Sequence, residues 1–487
     1  MKILSVMLLV CVGAVLLMPP PAFCVSGKMP ITTSSDIAKA SYLQGRELLE
    51  KLRYREAQQY FLKAVDLDPE FAIAYLQLAR VQSSTKESFD SFSKARALLH
   101  KVSEAEQLWI LGFEAGYYES KPLKQRELYE RLVNMYPNDE RSHNLLVGNY
   151  YAQQEWALVV RECELAIHIN SEFSAVYNQM GYALMFLERY ADAEKAFKKY
   201  VEYIPDDPNP HNSYAELLMK MGRFNESNEQ YKAALALNPD FTFSHIGIAS
   251  NFSYLGQHEK AREQLQLMYN GAKDDGQRRT ALSTMAFSYI DEGKFDQALE
   301  QYQKRYAIAE AKGDTSAMAG DLALMGFALI EVEDREEEAI SKFEQARTMV
   351  QASSLSEATK GQSEQAYFYR TCRAYVAMGN VEQAKVNALK YRTRALTSQH
   401  PTQIRGAHQL FGLIALKEGK FDLAIEELLQ SNLQNAYNYF FLGKAYQSKG
   451  DLIHAKEYYR KAANFNSINN SQQASIRIKA NQLASEM

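Results

Sequence analysis

The stretch YNQMGYALMFLERYADAEKAF, Tyr177 to Phe197, reads as two short amphipathic helices joined by a tight turn. Gly181 stands where the two helices must approach, because a larger side chain there would hold them apart. On the second helix Ala193 sits one turn before Phe197 on the same face, a small site beside a bulky plug. Such a pair cannot bury its apolar faces alone, so it must be one of several stacked copies.

The copies are present at a period of 34 residues, with units beginning at Ala38, Ala72, Glu106, Glu140, Ser174, Pro208 and Thr242. Position 8 of the frame is Gly45, Ala79, Gly181, Ala215 and Ala249, and position 20 is Ala57, Ala193 and Ala261. Four residues further come Phe61, Phe197 and Leu265. Position 32 is Pro69, Pro137, Pro205 and Pro239, each ending a unit because proline lacks the amide donor and clashes with the preceding turn.

With Tyr75, Trp109 and Tyr177 at position 4, the segments WILGF (109–113) and 177–197 resemble the tetratricopeptide signature. Beyond residue 275 the signature persists in LSTMAFSYIDEGKFDQALEQY (282–302), LALMGFALIEVEDREEEAISKF (322–343) and YFFLGKAYQSKGDLIHAKEYY (439–459). Weaker copies centre on Cys372 with Ala384 and on Gly412 with Ala424. Starts at Arg279, Ala319, Gln365, Arg405 and Ala436 lengthen the period, which longer helices or loops must absorb. The expected fold is an all-α solenoid of about eleven helix pairs, right-handed as the resemblance implies. A final helix over 471–487, with Ile476, Ala480 and Leu483 at helical spacing, caps it. The predicted organisation is a targeting segment (1–24), a linker (25–37), a regular array (38–275), a longer-period array (276–470) and the cap.

The targeting segment is Lys2 followed by an uncharged apolar run from Ile3 to Met18 and then Pro19, Pro20 and Pro21. The run is short for a bilayer span and reads as a cleavable secretory signal, cut after Cys24 or Ser26. An uncleaved anchor or a lipid-bearing Cys24 are the alternatives. Export to the periplasm or the extracellular space is the resulting expectation. Lys and Arg number 55 against 59 Asp and Glu, without a block of like charge, so no nucleic-acid partner is expected. Membrane contact is expected only through the signal segment if it is not removed.

Sequence patterns for a metalloprotease helix, paired cysteines, a phosphate-cradling loop and a nucleophile elbow are all missing, so neither an enzyme nor a cofactor is expected. His143, His211 and His245 share position 4 in consecutive or nearby units; stacked imidazoles make a metal site conceivable, but that position belongs to the packing seam. Cys163 and Cys372 fall on core positions.

The family resemblance places positions 2, 5, 9, 12 and 13 of each first helix on a concave groove where peptides are held. Candidate groove residues are Tyr117, Tyr118, Arg141, Asn144, Tyr151, Asn178, Tyr182, Phe186, Asn212, Glu216, Phe243 and Tyr254. Asn144, Asn178 and Asn212 repeat at position 5, and amides at that spacing can hold an extended backbone without reading its sequence. Related proteins carry such a ladder one helix position later. The expected function is an exported, non-enzymatic scaffold for protein or peptide partners; the alternative is a detached sensor module of a signalling system.

Overall fold

The computed structural model describes residues 27–82, 85–468 and 471–487, so the expected signal segment lies outside the described residues. Among the described residues the chain is helical throughout, an α-solenoid of twelve pairs and one further helix. Units 1 to 4 pair Asp36–Glu50 with Tyr54–Leu67, Ala72–Val81 with Thr85–Ala97, Glu104–Phe113 with Pro122–Met135, and Glu140–Ala152 with Trp156–Ile169. Units 5 to 8 pair Ala175–Phe186 with Tyr190–Tyr203, Pro208–Lys220 with Phe224–Leu237, Thr242–Tyr254 with His258–Asn270, and Asp275–Asp291 with Phe295–Ala311. Units 9 to 12 pair Thr315–Ile330 with Glu336–Gln351, Glu357–Met378 with Val381–Ser398, Pro401–Lys417 with Phe421–Leu429, and Ala436–Lys449 with Leu452–Ala463. The count is one above the expected figure of about eleven, and each of the twelve starts named from the sequence falls at the first helix of a pair.

The packing rule inside each pair is the one visible in residues 177–197. A Cβ added at Gly181 would lie 2.7 Å from the ring of the fully buried Phe197. Even a methyl group is therefore excluded there, a tighter fit than the sequence suggested. Gly326 over Phe343 and Gly443 over Tyr459 repeat the arrangement in the irregular half. The longer period is absorbed by helices, not loops. First helices run 10 to 15 residues in units 1 to 7 but 17, 16, 22 and 17 in units 8 to 11.

Both ends of the chain fold back onto the first helices, and they choose opposite ends of them. Residues 28–34, within the expected linker, run along the starts of units 2 to 4. The Ser34 amide donates to Asp68, the Thr32 amide to Glu106 at 2.8 Å and the Met29 amide to Asp139 at 2.6 Å. Asp139 also caps the first helix of unit 4 through the Arg141 amide, so one carboxylate fastens both segments.

The C-terminal repeats meet the other ends, in register. Arg405 donates to the Gln153 carbonyl (3.1 Å) just past the first helix of unit 4, and Gln434 to the Phe186 carbonyl (3.3 Å) ending the first helix of unit 5. Lys220 of unit 6 donates to the Phe465 carbonyl (2.7 Å), and Tyr254 of unit 7 to the Ser467 carbonyl (2.5 Å). Arg477 of the last helix binds Asp291 of unit 8 through two nitrogens, at 2.7 and 2.5 Å. Two of these donors satisfy carbonyls at or just past a first helix's last turn, which have no partner within the helix, and the Arg477 cation also suits that end of the dipole. The helix Ser471–Glu486 thus covers unit 12, as a cap should, and also packs on the first helix of unit 8.

Candidate functional site

The first turn of the solenoid coils tightly enough for unit 1 to reach units 4 and 6. Arg141 grips Glu50 through Nε (2.7 Å) and Nη2 (3.2 Å), and Arg53 pairs with Asp206 at 2.8 Å. The first helices of units 1 to 5 therefore surround a cavity of about 640 Å³, a volume in the usual range of ligand sites. Its walls carry Trp109, Phe113, Tyr117, Tyr151 and Tyr182, and its polar groups include Arg46, Arg80, Arg141, Glu50, Asn144, Asn178 and Gln179.

Three wall oxygens stand out: Asn144 Oδ1, Asn178 Oδ1 and Gln179 Oε1 are each shielded from water yet accept no hydrogen bond. Leaving a shielded acceptor unpaired costs about 1–3 kcal/mol, so a donor-bearing ligand gains by supplying the missing bond. Three arginines against one glutamate leave the walls net positive. Burial opposes the Arg141 charge, but the adjoining Glu50 carboxylate outweighs it and raises the guanidinium's proton affinity. Burial pushes the Tyr151 hydroxyl up to about 12, so this wall presents neutral phenols at ordinary pH.

Of the twelve expected groove residues, Tyr117, Arg141, Asn144, Tyr151, Asn178 and Tyr182 line this cavity. Tyr118 does not. The first helix of unit 3 ends in a π-type turn, Glu114–Tyr118, whose extra residue rotates Tyr118 out of the groove and onto unit 2. There its hydroxyl lies 3.2 Å from Ser88 Oγ and its ring 4.6 Å from Phe92. Phe186 stacks on Trp156 at 4.4 Å and faces a second cleft. Phe243 is exposed beside Phe241, and Tyr254 is covered by the C-terminal segment.

Asn212 ends the amide ladder because its bonds are already made. Its Nδ2 donates to Glu216 at 2.8 Å and its Oδ1 accepts from Ser244 at 3.2 Å. Burial pushes the Glu216 carboxyl up to about 7, against hydrogen bonds from Tyr182 and Asn212. Arg46, Leu49, Glu50 and Arg80 were missed, although they stand at positions 9, 12, 13 and 9 of units 1 and 2. The position rule identifies them once it is extended to those units. Gln179 stands at position 6, the place the family resemblance gave to its ladder.

The histidines at position 4 serve the seam. His143, His211 and His245 each bond a residue 19 positions on, Glu162, Gln230 and Gln264, across their own helix pair. His408 does the same with Glu427. Among the described residues no group of three or more His, Cys, Asp or Glu is placed to hold a metal. Cys163 and Cys372 are buried and unpaired, and burial pushes both thiols up, far from reactive thiolates.

Comparison with known proteins agrees with this architecture. Models of the tetratricopeptide repeat match residues 42–87, 174–207, 210–241 and 436–469, so the chain carries tetratricopeptide repeats in both halves. The CTR9 homolog of Arabidopsis thaliana is 21% identical over 80% of this chain and 37% of its own length. The auxiliary subunit NAA15 of the N-terminal acetyltransferase A complex, also from Arabidopsis thaliana, is 21% identical over 52% of this chain and 26% of its own. Mouse Superkiller complex protein 3 is 24% identical over 50% and 16%. The chain thus spans little more than a third, or less, of these relatives. Among solved structures, the Cut9–Hcn1 hetero-tetramer of the APC/C aligns over 89% of this chain and 78% of that one, with 14% identity and a TM-score of 0.40. PilW, a type IV pilus biogenesis factor, aligns over 42% and 96%, with 15% identity and a TM-score of 0.31.

Proposed function

We propose that the protein is a non-enzymatic scaffold that holds an extended segment of a partner protein in the cavity of units 1 to 5. The observation that carries this reading is the set of unpaired oxygens on Asn144, Asn178 and Gln179 between aromatic walls. Backbone amides of an extended segment would supply the missing donors, and its apolar side chains would desolvate against Trp109, Tyr117 and Tyr182. The net positive walls favour a segment with acidic residues. Two relatives are named as components of complexes, in keeping with a scaffold.

The test places a photo-reactive phenylalanine analogue at Tyr117, at Tyr182 and, as a control outside the cavity, at Phe243. The same partner peptide is expected from the two cavity positions and not from the control, and its yield should fall in the Asn144→Ala, Asn178→Ala double variant. Equal yield from Phe243, or a yield unaffected by the double variant, overturns the reading.

Export is part of the same proposal and is supported by the charge and apolar pattern of residues 1–24. Fractionation followed by N-terminal sequencing checks it: a chain beginning after Cys24 or Ser26 in the exported fraction is expected. Recovery from the cytoplasm with Met1 intact refutes it.

A further inference from the structure

A second cleft, about 620 Å³, lies where the C-terminal repeats close onto units 5 and 6. Neither half of the chain contains it alone. One wall holds Phe186, Tyr190 and Lys220, the other Tyr439, Arg460 and Phe465, and the Lys220–Phe465 hydrogen bond that joins them links positions 245 apart. Four rings give the walls broad flat apolar surfaces.

The charges in the cleft do not balance. Lys220, Lys456, Arg460 and Lys461 face Glu188 and Glu457, and Lys461 already pairs with Glu457 at 2.9 Å. Among the described residues Lys456 and Arg460 make no ion pair, and Lys220 donates to the Phe465 carbonyl and lies over the Phe465 ring, 3.5 Å from ammonium to centroid, with Glu188 the one carboxylate that favours its charge. Burial pushes the Lys220 ammonium down to about 8, and an anion beside it would raise its proton affinity again. Ile453, 83% exposed at the rim, is a large apolar side chain with nothing to cover it.

We propose that this cleft binds a small aromatic anion, a flat apolar body bearing a carboxylate, phosphate or sulfonate, and that its occupancy fastens the C-terminal repeats onto units 5 and 6. The rings take the flat body, while Lys456 and Arg460 take the anionic group from the side of unit 12 and Lys220 from the side of unit 6. A ligand that touches both walls binds only the closed arrangement and therefore stabilises it. The proposal is independent of the groove reading, since the two cavities share no wall residue.

The test titrates the full chain with 8-anilinonaphthalene-1-sulfonate, followed by its fluorescence, and with the uncharged N-phenyl-1-naphthylamine as a matched control. Saturable binding of the sulfonate is expected, at least about tenfold tighter than the neutral analogue, as one good ion pair supplies. The Lys456→Glu, Arg460→Glu double variant, altered at the cleft rim and checked for unchanged circular dichroism, should weaken the sulfonate by about tenfold or more. Glu188→Gln should tighten it, and Asn144→Ala with Asn178→Ala should leave it alone. Equal binding of the neutral analogue, no response to the charge reversal, or loss in the asparagine variant overturns the site. Hydrogen exchange over 452–463 should slow on saturation; unchanged exchange overturns the fastening.

Discussion

Units 1 to 7 and units 8 to 12 bury their polar groups in different ways, and the contrast explains why one half is so much plainer in sequence. In the regular half, short helices bring a small residue and a ring together at fixed positions, and the seam histidines bond across a pair, His211 and His245 to amides and His143 to the Glu162 carboxylate. In the second half, helices with an extra turn or more cannot be covered by that pattern alone, and buried ions fill the difference. Asp321 is fully buried between Arg279 at 2.7 Å and Arg305 at 2.6 Å. Arg373 is buried among Phe327, Tyr369 and Tyr437, with its guanidinium carbon 4.3 Å from the Tyr437 ring centroid. The difference teaches that period is carried by apolar packing, and that where charge takes over the core the period need not be kept.

The largest effect should come from breaking the Asp321 cluster. Asp321→Ala leaves two inward-facing guanidinium groups without an anion, at a cost of about 3–5 kcal/mol in urea unfolding. A change below 1 kcal/mol, on the scale of an exposed pair, would mean that the charges of the second half are not structural.

Glu216 offers the matching case in the regular half, a half-buried carboxyl with no cation bonded to it. Its folded pKa, near 7, lies above the unfolded value, so the folded state holds the extra proton between about pH 4.5 and 7. Stability from this group is complete below that window and is lost as pH rises through 7. A shift of this size corresponds to about 3 kcal/mol as an upper bound. Glu216→Gln should therefore gain on the parent chain between pH 5 and pH 8. Parallel pH profiles for the two proteins would show that the carboxyl is ionised and hydrated in the fold.

Packing substitutions sharpen the comparison further. Gly181→Leu forces a side chain against Phe197 and Gly326→Leu against Phe343, where the added Cβ already lies at 2.3 Å. Both should cost about 1–3 kcal/mol from overpacking alone. Equal losses would show that the glycine and ring plug does the same work in both halves. A loss confined to Gly181→Leu would assign the second half's stability to its ions.

The repeat and half of the expected groove residues could be read from the sequence because they are local: a small residue, a ring four positions after another small one, and proline at the boundary all act within one unit. Asn144 and Asn178 could be placed from their frame positions for the same reason. The closures could not be read. Arg477 meeting Asp291, or Met29 meeting Asp139, depends on accumulated rotation over several units, which no single unit encodes. That rotation decides which groove residues stay open, and so Tyr254 and Phe186 left the cavity while Arg46 and Arg80 entered it. Tyr118 was lost to one extra residue in a π-type turn, a register change with no signal in composition.

The smallest effect concerns the turn between the two helices of a regular unit. Its second-last residue adopts a left-handed backbone at Leu52 in unit 1 and at Ser120, Gln154, Glu188, Gly222 and Gly256 in units 3 to 7, the last five spaced 34 positions apart. Glycine takes this conformation without a Cβ clash; Gln154, at φ 62°, does not. Gln154→Gly relieves that clash but also frees the unfolded chain, and the two effects oppose each other. Among the described residues the side chain of Gln154 has no hydrogen-bond partner, so the clash decides the sign, and a net gain of about 0.5–1 kcal/mol is expected. The same left-handed turn recurs in the second half at Gly293, Asp334, Gly379, Gly419 and Gly450, and Asp334→Gly, at φ 62°, should give a similar gain. A gain at Gln154 alone would show that the two halves share the turn's backbone but not its strain.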